Sequence, residues 1–426
     1  MNKAITIFAI DRAEHQLNEA IAKYKKIMNV EVNCYLLISE EFQNSPVHYG
    51  NECPDLFKQI TVDFNDSKSL KQKVDQLSKD TLIVVHCRME EAIKDYKLLI
   101  PMLANSPFNP TVSSLEVTTQ KSLMRGAMQS TYPEIGPGFM RIHSDEELPE
   151  SSAFDLNFPV IVKPNGLHSS FLVKKCTNFI ELQQYLSDAF SLIEQVYTRE
   201  YGTGKPSLVI EEFIDGSMYS IDAYVDEDGK LLPLPPARAI TSSEVNKDGF
   251  YGYESYLPSE LSENETQKAN ECLAKCVEAV GLKNSSCHVE LFNTVNGWKI
   301  VEIAPRIGGY RHDMYYQAYG INHFLNDLLI HTGEKPILTP RKYRYSRCAS
   351  IYPDQEGTIK KIYGSIEASQ IESVIQFGVY VKEGEKAVFS SNGGKMVADA
   401  TFGNDDLDKL LSDIKKFRET FIVQVL

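Results

Sequence analysis

Residues 1–110 alternate short apolar runs with amphipathic stretches, and that alternation limits the fold more than any other feature of the chain. The strand-like runs are Ala4–Ile10, Glu31–Ile38, Gln59–Val62 and Leu82–His86, with helical patterns at about 13–27, 67–78 and 89–103. Strands that alternate with helices predict a small open parallel sheet with helices on both faces. No GxGxxG follows any of these strands, so the dinucleotide fingerprint is absent. Ala4–Ile10 ends at Asp11-Arg12 without a small-residue cleavage site and is too short to cross a membrane. It therefore reads as a first strand, and the expectation is a cytoplasmic protein.

At roughly 100–200 residues per domain, 426 residues predict two to four domains. The net charge of −14 argues against a nucleic-acid partner, because phosphate backbones are bound by a positive field. The cysteines (34, 53, 87, 176, 272, 276, 287 and 348) are scattered without a CxxC pair and read as buried free thiols. Residues 119–131 look helical, and "PEIGPGF" then breaks the pattern. From 158 to 236 the chain is mostly β, with one helix at about 178–195. Residues 259–281 form the clearest helix: Ser262 and Glu265 make a capping box, Ala269, Cys272, Leu273, Cys276, Val277 and Val280 share one face, and Gly281 ends it. After about 335 a linker precedes a β-rich segment with a terminal helix near 405–417 and a closing strand, Phe421–Leu426. The class is α/β, in part α+β.

The stretch "CHVELFNTVNGWKIVEIAPR", 287–306, reads as a hairpin. A three-residue loop, Val295-Asn296-Gly297, pairs Thr294 with Trp298, sets Leu291 against Val301 and Val289 against Ile303, and leaves Glu290 facing Glu302. Directly opposed residues have Cβ atoms about 4.5–5.5 Å apart, where like charges destabilise. Two ionised carboxylates there need a cation between them, or one must hold a proton. A hard divalent ion such as Mg²⁺ suits them, since it takes one or two carboxylates and completes its shell with phosphate oxygens. Arg306, just past the strand end, offers bidentate geometry for phosphate or carboxylate. An acid–arginine cluster that only secures a strand end would have the same composition.

In "FPVIVKPNGLHSSFLVKK", 158–175, Lys163 stands at a strand end before a polar loop, where backbone N–H groups can cover phosphates. "SLVIEEFIDGSMYSIDAYV", 207–225, is a strand running into acids, then Asp215-Gly216, then a second strand. The order of these parts resembles the ATP-grasp superfamily, and within it the carboxylate–amine ligases, the branch that includes bacterial L-amino acid ligases making dipeptides. The resemblance implies an ATP-grasp fold. It divides the chain into a Rossmann-like pre-ATP-grasp domain (1–112), a small lid subdomain with its preceding helix (113–215), a large subdomain with the metal site (216–335) and a C-terminal β-rich subdomain (336–426).

It also implies roles. In "TTQKSLMR", Lys121 is the first nucleotide-binding lysine, and Lys163 is the second, on the phosphates. Residues 165–171, with Ser169 and Ser170, are the phosphate lid. "VIEEFIDG" is the adenine hinge, with Glu211 at its polar position, Glu212 beside it, and Phe213 and Ile214 giving backbone contacts. Glu290 and Glu302 hold Mg²⁺ or Mn²⁺, and Arg306 steadies the phosphorylated intermediate. Phe171 replaces a common lid glycine, Met218 a ribose-binding glutamate and Ala304 the usual Asn. The reaction implied is phosphorylation of a carboxylate by ATP and attack by an amine, giving an amide, ADP and phosphate. Its partners would be small carboxylates and amines, with amino acids expected, no nucleic acid and no membrane, and a homodimer allowed. Glu254 is the candidate for a substrate ammonium, although Leu257 stands where a histidine is expected. Arg238, Arg311 and His312 are candidates for substrate anions, and Tyr310 for the wall of the acceptor pocket. A carboxylase-type ATP-grasp enzyme and a non-catalytic nucleotide-binding protein remain as alternatives.

Overall fold

A computed structural model describes residues 4–43, 54–103, 106–143, 150–151, 154–167, 171–199, 202, 204–247, 252–338, 344–389, 394 and 396–426. The N-terminal stretch forms a four-stranded parallel sheet in the order Phe57–Val62, Val32–Ser39, Ile5–Ile10, Leu82–His86. All of Ile5–Ile10 is buried, which is why this strand reads as a continuous apolar run rather than an alternating one. Gln16–Met28, Ser67–Leu77 and Ile93–Leu99 supply the helices. The core of this unit extends to Ile307, Phe324, Leu325, Leu328 and Leu329, far along the chain. That shared core carries the N-terminal unit up against the segment that follows Arg306.

The helical stretch expected at 119–131 is two helices, Val112–Thr119 and Lys121–Thr131. Gln120 between them is extended (φ −119, ψ 111), so Lys121 opens the second helix. A four-stranded antiparallel sheet follows, in the order Phe139–Ile142, Leu208–Glu212, Val160–Pro164, Lys174–Cys176. The helix Phe179–Arg199 packs Leu182, Leu186, Ala189 and Ile193 into its core.

The largest sheet has nine strands, with Gly297–Ala304 at one edge and Val374–Val379 at the other. From the first edge the order is Gly297–Ala304, Ser285–Thr294, Ser217–Val225, Ala237–Thr241, Gly252–Leu257, Tyr345–Ile351, Ala398–Asn404, Val374–Val379, and the ninth strand, Leu231–Pro233, pairs with the end of Ser217–Val225 off this path. Strands from beyond residue 344 thus continue the sheet begun at Ser217, and a smaller sheet of Lys386–Ala387, Gly357–Tyr363 and Ile422–Val425 stands apart. The helix Glu263–Val280 covers one face of the large sheet. Ser262 accepts from the Glu265 N–H at 3.2 Å, and Gly281 closes the helix in the left-handed region. Its buried Leu273, Cys276 and Val277 meet Ile221, Val289, Trp298 and Ile303 in one core. Each such large side chain contributes about 1.5–3 kcal/mol on full burial. The seven described cysteines are all buried and unpaired, and Cys53 lies outside the described residues. Among the described residues no helix is long and apolar enough to cross a membrane.

Candidate active site

Glu290 and Glu302 face each other, but the path to that register differs from the three-residue loop. The turn is Val295-Asn296 only: Gly297, at φ 95, pairs with Thr294, Trp298 with Asn293, and Ile300 with Leu291. A bulge then leaves Val301 without an opposite residue, and the ladder resumes at Glu290–Glu302, Val289–Ile303 and His288–Ala304. One extra residue shifts the faces by one, which restores the acid pair.

The cation beside Glu302 is a lysine. Lys121 Nζ lies 3.4 Å from Glu302 Oε2 and donates to the Leu167 carbonyl at 2.5 Å. Burial works to raise the Glu302 carboxyl, but Lys121 and Lys163 outweigh it and hold it below its ordinary range. The start of the lysine helix is fixed by the loop after Lys163. The Asn165 carbonyl accepts from Lys121 N at 3.0 Å and its side chain from Ser122 N at 2.8 Å. The loop thereby brings both lysines to one place. Ser169 and Ser170 lie outside the described residues, while Phe171 is buried in the core between the four-stranded antiparallel sheet and the helix Phe179–Arg199.

Lys163 is buried and pairs with Glu211 at 2.7 Å. Glu211 also takes two bonds from Arg125, Nε at 2.9 Å and Nη2 at 3.0 Å. Burial would raise the Glu211 carboxyl, but Arg125 and Lys163 bring it down to about 2. Two cations thus hold the Glu211 carboxylate inside the protein. Glu212 turns the other way and accepts from Asn157 N at 3.1 Å and Asn157 Nδ2 at 2.6 Å. The Phe213 N–H is spent on the Pro159 carbonyl at 2.9 Å, and the Lys175 ammonium lies 3.8 Å from the Phe213 ring centre. Among the described residues no backbone group takes the Ile214 N–H.

Arg306 is held from the N-terminal unit, with Nε 2.7 Å from Glu90 Oε2. Arg88, two residues before Glu90, donates to the carbonyls of Ile307 (2.9 Å) and Gly309. The loop after the acid-bearing strand is therefore clamped by residues from the end of Leu82–His86. Beside the acids lies a pair that the sequence did not single out. His288 Nδ1 is 3.1 Å from Asp222 Oδ2, and its Nε2 is 3.8 Å from Glu290 Oε1. Burial would raise Asp222, yet His288 keeps it well below the usual carboxylate range. Asp222 also accepts from Gly308 N at 3.0 Å. A Cβ on Gly308 would come within 2.5 Å of His288 Nδ1 and Arg311 Cγ, so close packing, not a sharp turn, calls for this glycine. The signal in the sequence was the spacing His288-x-Glu290 on one strand face.

The substrate candidates separate by sheet face. Glu290 pairs with Ser220, Ser220 with Ala237, and Ala239 with Ser255, so Ser255 shares the face of the acids and Glu254 takes the opposite one. There the Glu254 carboxylate is held by Arg347 and by Arg418 (3.4 Å), so it is not brought together with the acids. Arg238 shares that opposite face. It is tied to Glu244 and to the Met218 carbonyl at 2.9 Å, and so is not turned towards the acids. Tyr310 is on the acid side, with its hydroxyl 3.1 Å from Ser255 Oγ and the Arg311 guanidinium 4.8 Å from its ring centre. Arg311 is 3 % exposed and lies 3.9 Å from Asp222, so it is a buried cation rather than a surface one. His312 is buried against Phe324, and burial brings it down to about 3, which leaves no cation for a substrate carboxylate.

Among the described residues no group of three or more His, Cys, Asp and Glu could hold a metal. Two opposed, partly exposed carboxylates still fit an ion that draws the rest of its shell from phosphate and water.

Residues 156–314 match the ATP-grasp domain family. That stretch includes Lys163, Glu211, Glu290, Glu302 and Arg306 and begins after Lys121 and Arg125. An uncharacterized protein of Sinorhizobium fredii, y4rH, is 22% identical over 281 residues, 66% of this chain and 55% of that protein. A phosphoribosylamine–glycine ligase of Methanosphaera stadtmanae is 26% identical over 212 residues, 47% of each chain. The chain thus spans about half the length of these curated relatives. The crystal structure of an L-amino acid ligase from Bacillus licheniformis superposes with a TM-score of 0.77 at 18% identity, over 100% of this chain and 99% of that one, which gives the fold.

Proposed function

We propose that this chain, whose residues 156–314 match the ATP-grasp domain family, is an ATP-dependent carboxylate–amine ligase, joining an amino acid to a second amino acid or small amine and releasing ADP and phosphate. The observation that carries the reading is the convergence of two opposed acids, Glu290 and Glu302, with Lys121, Lys163 and Arg306 at the junction of three structural units. Phosphoryl transfer asks mainly for positioning and charge neutralisation, and those residue types supply both.

In this reading Lys121 and Lys163 hold the phosphates of ATP. Lys163 exchanges its contact with Glu211 for a phosphate oxygen. Glu290 and Glu302 would hold Mg²⁺ or Mn²⁺, which when bound neutralises phosphate charge. Arg306, oriented by Glu90, faces the acyl phosphate formed from the carboxylate substrate. The amine then attacks the acyl carbon, the C–N bond forms, and phosphate leaves. Tyr310, held by Ser255 and backed by Arg311, bounds the space where the amine enters. Amino acids are favoured as substrates because the like-folded protein is named an L-amino acid ligase. Buried, unpaired thiols suit a reducing compartment such as the cytoplasm.

The test is ADP release screened over pairs of amino acids and small carboxylic acids. Release is expected only when both a carboxylate and an amine are present. Phosphorus NMR of the completed reaction should show ADP and phosphate. AMP with pyrophosphate, or bicarbonate-dependent release without an amine, would replace this chemistry with another.

A further inference from the structure

Among the described residues Arg125 is the largest fully buried side chain, 1 % exposed, on the same helix as Lys121 and four residues after it. Residues at that spacing share a helix face. Its guanidinium makes four hydrogen bonds that reach two subdomains. Nε and Nη2 grip Glu211 at 2.9 and 3.0 Å, while Nη1 and Nη2 donate to the carbonyls of Ile300 at 2.8 Å and Val301 at 2.7 Å.

The last two bonds carry the inference. Gly297–Ala304 is an edge strand, so carbonyls turned away from Ser285–Thr294 have no strand partner. In a regular strand successive carbonyls point to opposite sides, and one planar group cannot take two in a row. Arg125 takes two successive ones because the strand is bulged at Val301. Continued without the bulge, the pairing of Leu291 with Ile300 would set Val301 against Glu290 and Glu302 against Val289. Glu302 would then point into the core beneath the helix Glu263–Val280, away from Glu290.

We propose that Arg125 is a positioning residue: by capping the bulge it fixes the register that opposes Glu290 to Glu302, and by gripping Glu211 it fixes Lys163 relative to that pair. The proposal rests on the reading of these groups as the site for ATP and a divalent ion. Arg125 touches neither ligand in this account and acts through the acids and Lys163.

The experiment is Arg125→Lys, which keeps the charge and loses the planar fork. Two bindings are read on the intact protein. ATP is titrated calorimetrically in the presence of EDTA, and Mn²⁺ binding to the ATP-saturated protein is followed by electron paramagnetic resonance. Loss of such an orienting partner weakens metal binding by about 10- to 100-fold, and a fall of that order is expected for Mn²⁺, with ATP about tenfold weaker as well. A purely structural residue would lower the melting temperature and leave both affinities within about twofold of wild type, and that result overturns the proposal. Should Arg125→Lys not fold, Arg125→Met with Glu211→Gln, which leaves no lone buried carboxylate, takes its place with the same thresholds. A wild-type protein that binds neither ATP nor Mn²⁺ would remove the reading of the site and this proposal with it. Tight wild-type binding that Arg125→Lys leaves unchanged removes this proposal alone.

Discussion

Glu211→Gln isolates the charge at the centre of the site with almost no change of shape. Glu211 is 1 % exposed and balances two buried cations, Arg125 and Lys163. Its carboxyl lies at about 2 against an ordinary 4.5, because the two cations outweigh the opposing effect of burial. At about 1.4 kcal/mol per pH unit, that difference corresponds to about 3 kcal/mol of folding stability. The figure agrees with the roughly 3–5 kcal/mol lost when one partner of a buried ion pair is removed. Because the folded carboxyl is depressed, the contribution is fully present above about pH 4.5 and fades as the pH falls towards 2. The assay is urea unfolding followed by fluorescence of Trp298, the only tryptophan, buried on the strand that Arg125 caps. With an unfolding slope of about 2–3 kcal/mol per molar urea, the midpoint should fall by about 1 M. The gap to wild type should stay constant from pH 5 to 8 and narrow below pH 4.5. A midpoint within about 0.2 M of wild type at pH 7 would refute the argument that this carboxylate stabilises the fold by balancing Arg125 and Lys163.

Other substitutions probe other parts of the site. Glu290→Gln or Glu302→Gln should abolish Mg²⁺-dependent ADP release while circular dichroism stays that of wild type; retained turnover in either folded variant would count against the metal assignment. Lys163→Ala should weaken ATP binding by at least about tenfold by calorimetry, since a charge-assisted contact contributes about 1.5–3 kcal/mol; unchanged affinity would take Lys163 off the phosphates. Gly308→Ala should destabilise by about 1–3 kcal/mol, as overpacked sites do, because its Cβ would meet His288 and Arg311 at 2.5 Å. A melting temperature equal to wild type would show that those two side chains yield freely.

How much of this could be read from the chain depends on the range of each contact. The alternation in residues 1–110 reports burial along a strand, so the parallel sheet was legible. The opposition of Glu290 and Glu302 was legible for the same reason, but the turn was not. A three-residue loop and a two-residue turn with a bulge give the same offset at the acids. What fixes the bulge is a guanidinium 175 positions away in sequence, and no local pattern carries that. The face that Glu254 takes was not legible for a related reason: alternation says that neighbours face opposite sides, but only the pairing across four strands says which side holds the acids. Arg347 and Arg418, which hold it, come from a segment the sequence reading kept apart from this sheet.

The charge balance also bears on how so acidic a chain could take up a triphosphate. A net charge of −14 creates a field that repels anions at long range, but salt screens it beyond about 8–10 Å. What an anion meets at contact is a local group, and here each cation has an acid from a different element beside it: Lys121 has Glu302, Lys163 and Arg125 share Glu211, and Arg306 has Glu90. Those acids let the cations be held close together without ligand, since unpaired they would repel one another and resist burial. In the proposed reading a phosphate would then replace a carboxylate at Lys163 rather than find it free. That exchange costs least where the carboxylate keeps a second partner, and Glu211 keeps Arg125 when Lys163 leaves it. The buried arginine thus does for the lysine what a counter-ion does in solution, and it does so from a position that no phosphate needs to reach.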